Sequence, residues 1–228
     1  MVFWLASLAG LGVAYLFGAT PTGYLAGKLL RGIDIREHGS GSTGATNVLR
    51  TLGTWPALVV VLVDLLKGVA AIVFARWFHP WLCTLPGVTP PAGLDPQALT
   101  AWAASLAGLA AVLGHSRSVW LRFTGGKSAA TGLGVLLAIA WPVGLGAAAV
   151  VGLALAAFRV VSLGSILGAL TAMILICALP QPLPYRLLVL AGGAYVIARH
   201  RANVQRLLAG TEPKVGRSSP GANAESQG

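Results

Sequence analysis

Apolar residues run along this chain in blocks of about twenty, the length a helix needs to cross ~30 Å of hydrocarbon. Polar residues are confined to the breaks between them. Residues 1–27 carry no charge, with Pro21 near their end and Lys28 and Arg31 just beyond. Further blocks cover about 52–75 (interrupted by Asp64 and Lys67), 96–116, 160–185 and a short 187–198. The stretch 128–158 is uncharged throughout, too long for one span and barely enough for two, and Trp141-Pro142-Val143-Gly144 reads as a turn at its centre.

Lysine and arginine favour the cytoplasmic side of a membrane, which decides between one span and two. With 128–158 split and the N-terminus outside, thirteen of the sixteen basic residues lie inside, only Arg76 and Arg186 lie outside, and Lys67 is within the bilayer. With one span the tally becomes eight against seven. The pattern therefore predicts an all-α integral membrane protein of seven transmembrane helices, the fourth and fifth short, with the N-terminus outside and the C-terminus cytoplasmic. A single domain is expected over 1–216, followed by a Ser/Gly/Ala-rich disordered tail over 217–228.

Composition agrees. Hydrophobic residues make up 56% and charged residues 10%, against about 25% charged in a soluble domain. The net charge of +10 would suit nucleic acid, but the bases sit in short clusters between apolar blocks, as beside anionic lipid. No nucleic-acid partner is expected. The absence of a basic region at the N-terminus argues for a retained first span rather than a cleaved signal. Cys83 and Cys177 supply neither a metal set nor a disulfide framework and read as two inert thiols.

The unusual polar sequence falls on one predicted side. Gly39-Ser40-Gly41-Ser42-Thr43-Gly44-Ala45-Thr46-Asn47, followed by Arg50, combines glycines that admit close backbone approach with hydroxyls and N–H groups able to nest an anion. A helix starting near Thr43 or Ala45 would add its dipole; the alternative is a plain flexible loop. Gly125-Gly126-Lys127-Ser128 opens another helix. The nucleotide-binding spacing fails because position 121 is Leu121, leaving N–H groups, a dipole and a fixed cation suited to a phosphoryl group. Simple anchoring by Arg122 and Lys127 is the competing reading, and His115 reads as an interfacial hydrogen-bonder. Ser162 either contacts substrate or caps the following helix. Arg199, Asn203 and Arg206 share a helix face, with His200 beside Asn203, as a binding site or as headgroup anchors. Asp64 and Lys67, three apart within a span, form an intramembrane ion pair with a supporting role. Many donors and few acids fit one or two phosphorylated ligands, with no metal centre and no cofactor.

These runs, with Asp64-Leu65-Leu66-Lys67-Gly68, Gly114-His115, Val161-Ser162-Leu163 and His200-Arg201-Ala202-Asn203-Val204, resemble in order the motifs of the bacterial acyl-phosphate:glycerol-3-phosphate acyltransferases, the PlsY family. The resemblance covers nearly the whole chain. It implies transfer of a fatty acyl group from acyl phosphate to the sn-1 hydroxyl of glycerol 3-phosphate, giving lysophosphatidic acid and phosphate at the cytoplasmic face of the bacterial inner membrane. Carried over by position, Ser40, Arg50, Lys127, Ser162, His200 and Asn203 are catalytic. Gly39, Gly41, Ser42, Thr46, Asn47, Gly125, Gly126 and Arg201 bind substrate, while Asp64 and Lys67 support them. The acyl chain is expected in a groove open to membrane lipid. With so few carboxylates, the substrate's own phosphate is expected to accept the hydroxyl proton. A transporter of a phosphorylated solute is the alternative, disfavoured by polar residues gathered at one surface and by the lack of a repeat.

Two positions depart from the family: Ser42 stands where it usually has Asn, and Ser128 where it has Gly. Ser42 keeps a hydrogen-bonding group, so Ser42→Asn is expected to preserve turnover; loss of most activity in that variant would refute the mapping.

Overall fold

The computed structural model describes residues 1–93 and 95–216; the tail expected at 217–228 lies outside them. The described residues form ten α-helices: α1 Val2–Ala19, α2 Thr22–Arg31, α3 Ala45–Leu52, α4 Thr54–Leu82, α5 Pro96–Ser116, α6 Ala129–Ile139, α7 Trp141–Phe158, α8 Val161–Ala178, α9 Leu183–Arg199 and α10 Arg201–Leu208. Five segments are long and apolar enough to cross a membrane: Val2–Arg31, Thr54–Leu82, Pro96–Ser116, Trp141–Phe158 and Val161–Ala178. They keep large apolar side chains exposed along their length, such as Leu58, Leu62, Leu66 and Val73 on α4. In water that surface would be costly; against lipid it is solvated.

Prolines explain where the boundaries differ from the apolar pattern. Pro21 separates α1 from α2, so the first block is two helices. The expected break near residue 75 is absent, and α4 runs on to Leu82 with Pro80 inside its last turn. Pro182 and Pro184 set the start of α9 at Leu183, drawing into it residues the pattern gave to the preceding span. The expected division of 128–158 into two helices holds, but the break falls at Ala140, which is non-helical, and Trp141-Pro142-Val143-Gly144 form the first turn of α7 instead of a loop, since proline is accepted at a helix start. Only the first arm of that hairpin is short, however: α6 has 11 residues and α7 has 18.

Lipid tails are as apolar as leucine, so helix contact here depends on close packing rather than on hydrophobic expulsion. The α4–α6 contact shows how. A side chain on Gly68 would strike the Thr131 carbonyl, and one on Gly134 would strike that of Leu65. The two backbones therefore meet only because both positions are glycine. Around this contact α1 packs on α5 and α4, α7 on α8, and α8 on α9.

Inside the bundle the Asp64–Lys67 pair forms as expected. Lys67 Nζ lies 2.8 Å from Asp64 Oδ1 and donates to the Thr20 carbonyl at 3.0 Å, while His115 Nδ1 stands 3.6 Å from the same carboxylate. Asp64 and Lys67 are 2% and 7% exposed, so removing one partner strands the other charge in a low-dielectric interior. Asp64→Leu is expected to cost about 3–5 kcal/mol, and adding Lys67→Met should recover part of it. Thermal unfolding in detergent measures this; a single variant as stable as the wild type would show that the pair is not what holds these helices.

Candidate active site

Between α2 and α3 the chain turns through Gly39 and Gly41, both with positive φ (59° and 67°). The loop is held from within by Asn47, fully buried on the first turn of α3. Its Nδ2 donates to the carbonyls of Ile35, His38 and Ser42 at 3.0, 3.0 and 2.8 Å, and its Oδ1 accepts from Ser40 N at 2.8 Å. A side chain on Gly39 would occupy the place of that Oδ1. Asn47 thus spends its amide on the backbone and sets the loop that carries Ser40. Ser42 Oγ accepts from Gly44 N at 3.2 Å just before α3 opens at Ala45, as the motif suggested.

The α5–α6 loop supplies the second wall. Gly126 N donates to the His115 carbonyl at 3.1 Å, and Arg199 Nη2 donates to the Gly126 carbonyl at 3.2 Å. Side chains on Gly125 or Gly126 would collide with His115, so these glycines fit the loop against α5. Ser128 takes φ 64°, a left-handed conformation in which glycine is cheapest. Its hydroxyl turns to the Val112 carbonyl at 2.7 Å. Lys127 points the other way, its Nζ donating to Asn203 Oδ1 at 2.5 Å.

The third wall centres on a residue that the motifs did not single out. Glu212, 8% exposed, accepts at Oε1 from Ser162 Oγ (2.8 Å) and Asn203 Nδ2 (2.6 Å), and at Oε2 from Arg206 Nε (2.6 Å). Ser162 therefore reaches across to the C-terminal segment instead of capping α8, whose N-cap makes no side-chain bond. The expected continuous helix through 199–206 is broken at His200. Arg199 goes to the glycine loop while Asn203 and Arg206 converge on Glu212. Val215 N donates to the Arg159 carbonyl at 2.7 Å and ties this segment to the α7–α8 turn. In sequence the only signal was a single acid, two residues after Gly210, between Arg206 and Lys214 in a basic segment.

Electrostatics follow from these contacts. Burial pushes the Glu212 carboxyl upward, but the bonds from Asn203, Ser162 and Arg206 outweigh it and hold the group below its ordinary value. Burial lowers Lys127, and the neighbouring Arg206, Arg50 and Arg199 lower it further against the pull of Glu212. His200 is also lowered, chiefly by burial. Its Nδ1 lies 2.8 Å from the Val196 carbonyl; an oxygen there requires a donor, so the neutral ring carries its proton on Nδ1 and its lone pair on Nε2.

Ser40, Ser42, Thr46, Asn47, Arg50, Asp64, Lys127, Ser162, His200 and Asn203 all line one cavity of about 270 Å³ that continues into an apolar groove between α6, α7, α8 and α9. Gly39, Gly41, Gly125, Gly126, Lys67 and Arg201 do not line it. The glycines and Lys67 shape its walls from behind, and Arg201 is exposed. Among the described residues no cluster of His, Cys, Asp or Glu could hold a metal ion.

A mouth lined by Arg50, Lys127 and several hydroxyls thus opens onto an apolar groove between helices, within a chain that carries five segments of membrane-spanning length. The family model described as glycerol-3-phosphate acyltransferase matches residues 8–210. Glycerol-3-phosphate acyltransferase 2 of Rhizobium johnstonii is 71% identical over 217 residues, 95% of this chain and 99% of its own. The glycerol-3-phosphate acyltransferase of Synechococcus elongatus is 55% identical, over 90% of this chain and 92% of its own. The crystal structure of PlsY, an integral membrane glycerol 3-phosphate acyltransferase, in its glycerol 3-phosphate form superposes with a TM-score of 0.78 at 34% identity, covering 92% and 96% of the two chains. Its lysophosphatidic acid form gives 0.74. The chain belongs to the PlsY family of glycerol-3-phosphate acyltransferases and is an integral membrane acyltransferase, which sets the transporter alternative aside.

Because Lys127 is held below the ordinary lysine value of 10.5, its charge is expected to fade on the alkaline side earlier than for a free lysine, and if turnover depends on that charge it should fall with it. Lys127→Arg keeps a permanent cation and should move that decline to higher pH, at reduced turnover. Profiles of kcat/KM from about pH 6 to about pH 10 test this; an unchanged alkaline limb in the variant would rule Lys127 out as its source.

Proposed function

We propose that this chain transfers a fatty acyl group from acyl phosphate to the sn-1 hydroxyl of glycerol 3-phosphate, releasing lysophosphatidic acid and inorganic phosphate. The observation that carries the reading is the continuity of one cavity from Lys127 and Arg50 into the groove between α6 and α9. A single ligand with an anionic head and an alkyl tail fits that shape.

An acyl phosphate is a mixed anhydride, so the hydroxyl can attack its carbonyl directly with no enzyme-bound intermediate. The new C–O ester bond forms, the C–O bond to phosphate breaks, and phosphate leaves with the electron pair. Lys127 and Arg50 offset the repulsion between two phosphates brought together, and the opening turn of α3 adds its N–H groups. One well-aimed donor on charge developing in the transition state contributes about 2.7–4 kcal/mol. Glu212 is a poor proton acceptor because three donors already hold its ionised form. In this reading it orients Ser162 and Asn203, and the proton passes to the glycerol phosphate itself.

The seven-span topology, with the N-terminus outside and the site facing the cytoplasm of the bacterial inner membrane, belongs to the same proposal. It rests on the basic residues clustered at the cavity mouth and on α6 and α9 as the two shorter spans that bring the five long ones to seven.

Purified protein supplied with glycerol 3-phosphate and, in turn, acyl phosphate, acyl-CoA and acyl carrier protein tests the donor. Lysophosphatidic acid is expected with acyl phosphate. Product from acyl-CoA alone would overturn the assignment.

A further inference from the structure

The apolar arm of the cavity has a measurable floor. Along α8 its lining descends from Ser162 to Ala172, and along α9 from His200 to Leu188. At 1.5 Å rise per residue these runs are about 15 and about 18 Å long. Below that level the groove ends in packed side chains. Ile176, one turn beyond Ala172 on α8, and Val143, one turn beyond Ala147 on α7, are both fully buried and do not line the cavity. They form one core cluster with Ile72, Ile139 and Leu188.

We propose that Val143 and Ile176 are the stop that sets the length of acyl chain this enzyme accepts. The inference rests on the acyl-transfer reading above and goes beyond it by naming the residues that measure the chain. With a C–C bond of about 1.5 Å in a zigzag, an extended alkyl chain advances ~1.25 Å per methylene. The groove therefore takes about 12–14 methylenes between the reacting carbonyl and the floor. A dodecanoyl tail ends short of the stop, a hexadecanoyl tail reaches it, and an octadecanoyl tail must bend or emerge between helices. The width that lets a chain descend comes from missing side chains. Gly192 lines the groove on α9, and a methyl added there would meet no atom within 4 Å, so the space it faces is the chain's own path.

That vacancy supplies a test with little risk to folding, since leucine is a better helix former than glycine. Gly192→Leu fills the groove above its floor. It should raise the ratio of kcat/KM for dodecanoyl phosphate over hexadecanoyl phosphate about tenfold, as the expelled methylenes lose their apolar contacts. Ile176→Ala deepens the floor and should shift preference toward octadecanoyl phosphate several-fold. Ile176→Val, which removes one methyl, is expected to move the same way by less and serves if the alanine variant does not fold. A wild-type enzyme active on all three donors with flat ratios in both variants would overturn the stop. A shift in Gly192→Leu without one at Ile176 would place the floor elsewhere and equally overturn it. A wild type inactive on every acyl phosphate would instead defeat the acyl-transfer reading itself, and the stop with it.

Discussion

A carboxylate buried among cations is stable only while its oxygens are occupied, and the active end of this protein is organised around that requirement. Glu212 gathers Ser162 from α8 with Asn203 and Arg206 from α10, the first of them fifty positions away from it in the chain. Asn203 in turn accepts from Lys127 at the start of α6. One anion thereby fixes the spacing of helix ends that share no backbone hydrogen bonds with one another. It also offsets part of a positive field which, left alone, would push apart Lys127, Arg199 and Arg206 before any substrate arrived.

The second buried network works on the same principle at greater depth. Asp64 and Lys67 sit where lipid offers no polar partner, and each is tolerated because the other, His115 and the Thr20 carbonyl are within reach. The pair joins α4 to the α1–α2 break and to α5, the helix that carries the glycine loop of the second wall. Asp64 also lines the cavity, so the ionic brace and the candidate site share a side chain. Both networks confine charge to closed sets of partners and leave the groove between α6 and α9 apolar.

Much of this was legible in the linear chain, for definite reasons. Hydrophobic blocks and the distribution of lysine and arginine report the bilayer, whose thickness and potential act on every residue alike. The split at Trp141-Pro142 could be read because proline and glycine act locally. The clusters around Ser40, Lys127, Ser162 and His200 could be read because each carries its own chemistry within a few positions. The span ends near residues 75 and 185 were misplaced, since Pro80 and Pro184 sit in a last and a first turn, where proline is compatible with helix and only neighbouring packing decides.

What the chain alone could not express was how distant segments share hydrogen bonds. Asn47, Gly125 and Gly126 carry the marks of substrate contacts, yet the fold uses them to brace a loop or to seat it against His115. Ser162 looks like a helix cap until Glu212 comes within 2.8 Å of it. Composition and periodicity thus determined a helical membrane protein with an anion-handling face. Tertiary structure decided which polar atoms remain free for a ligand, because a donor's availability depends on what the rest of the chain brings to it.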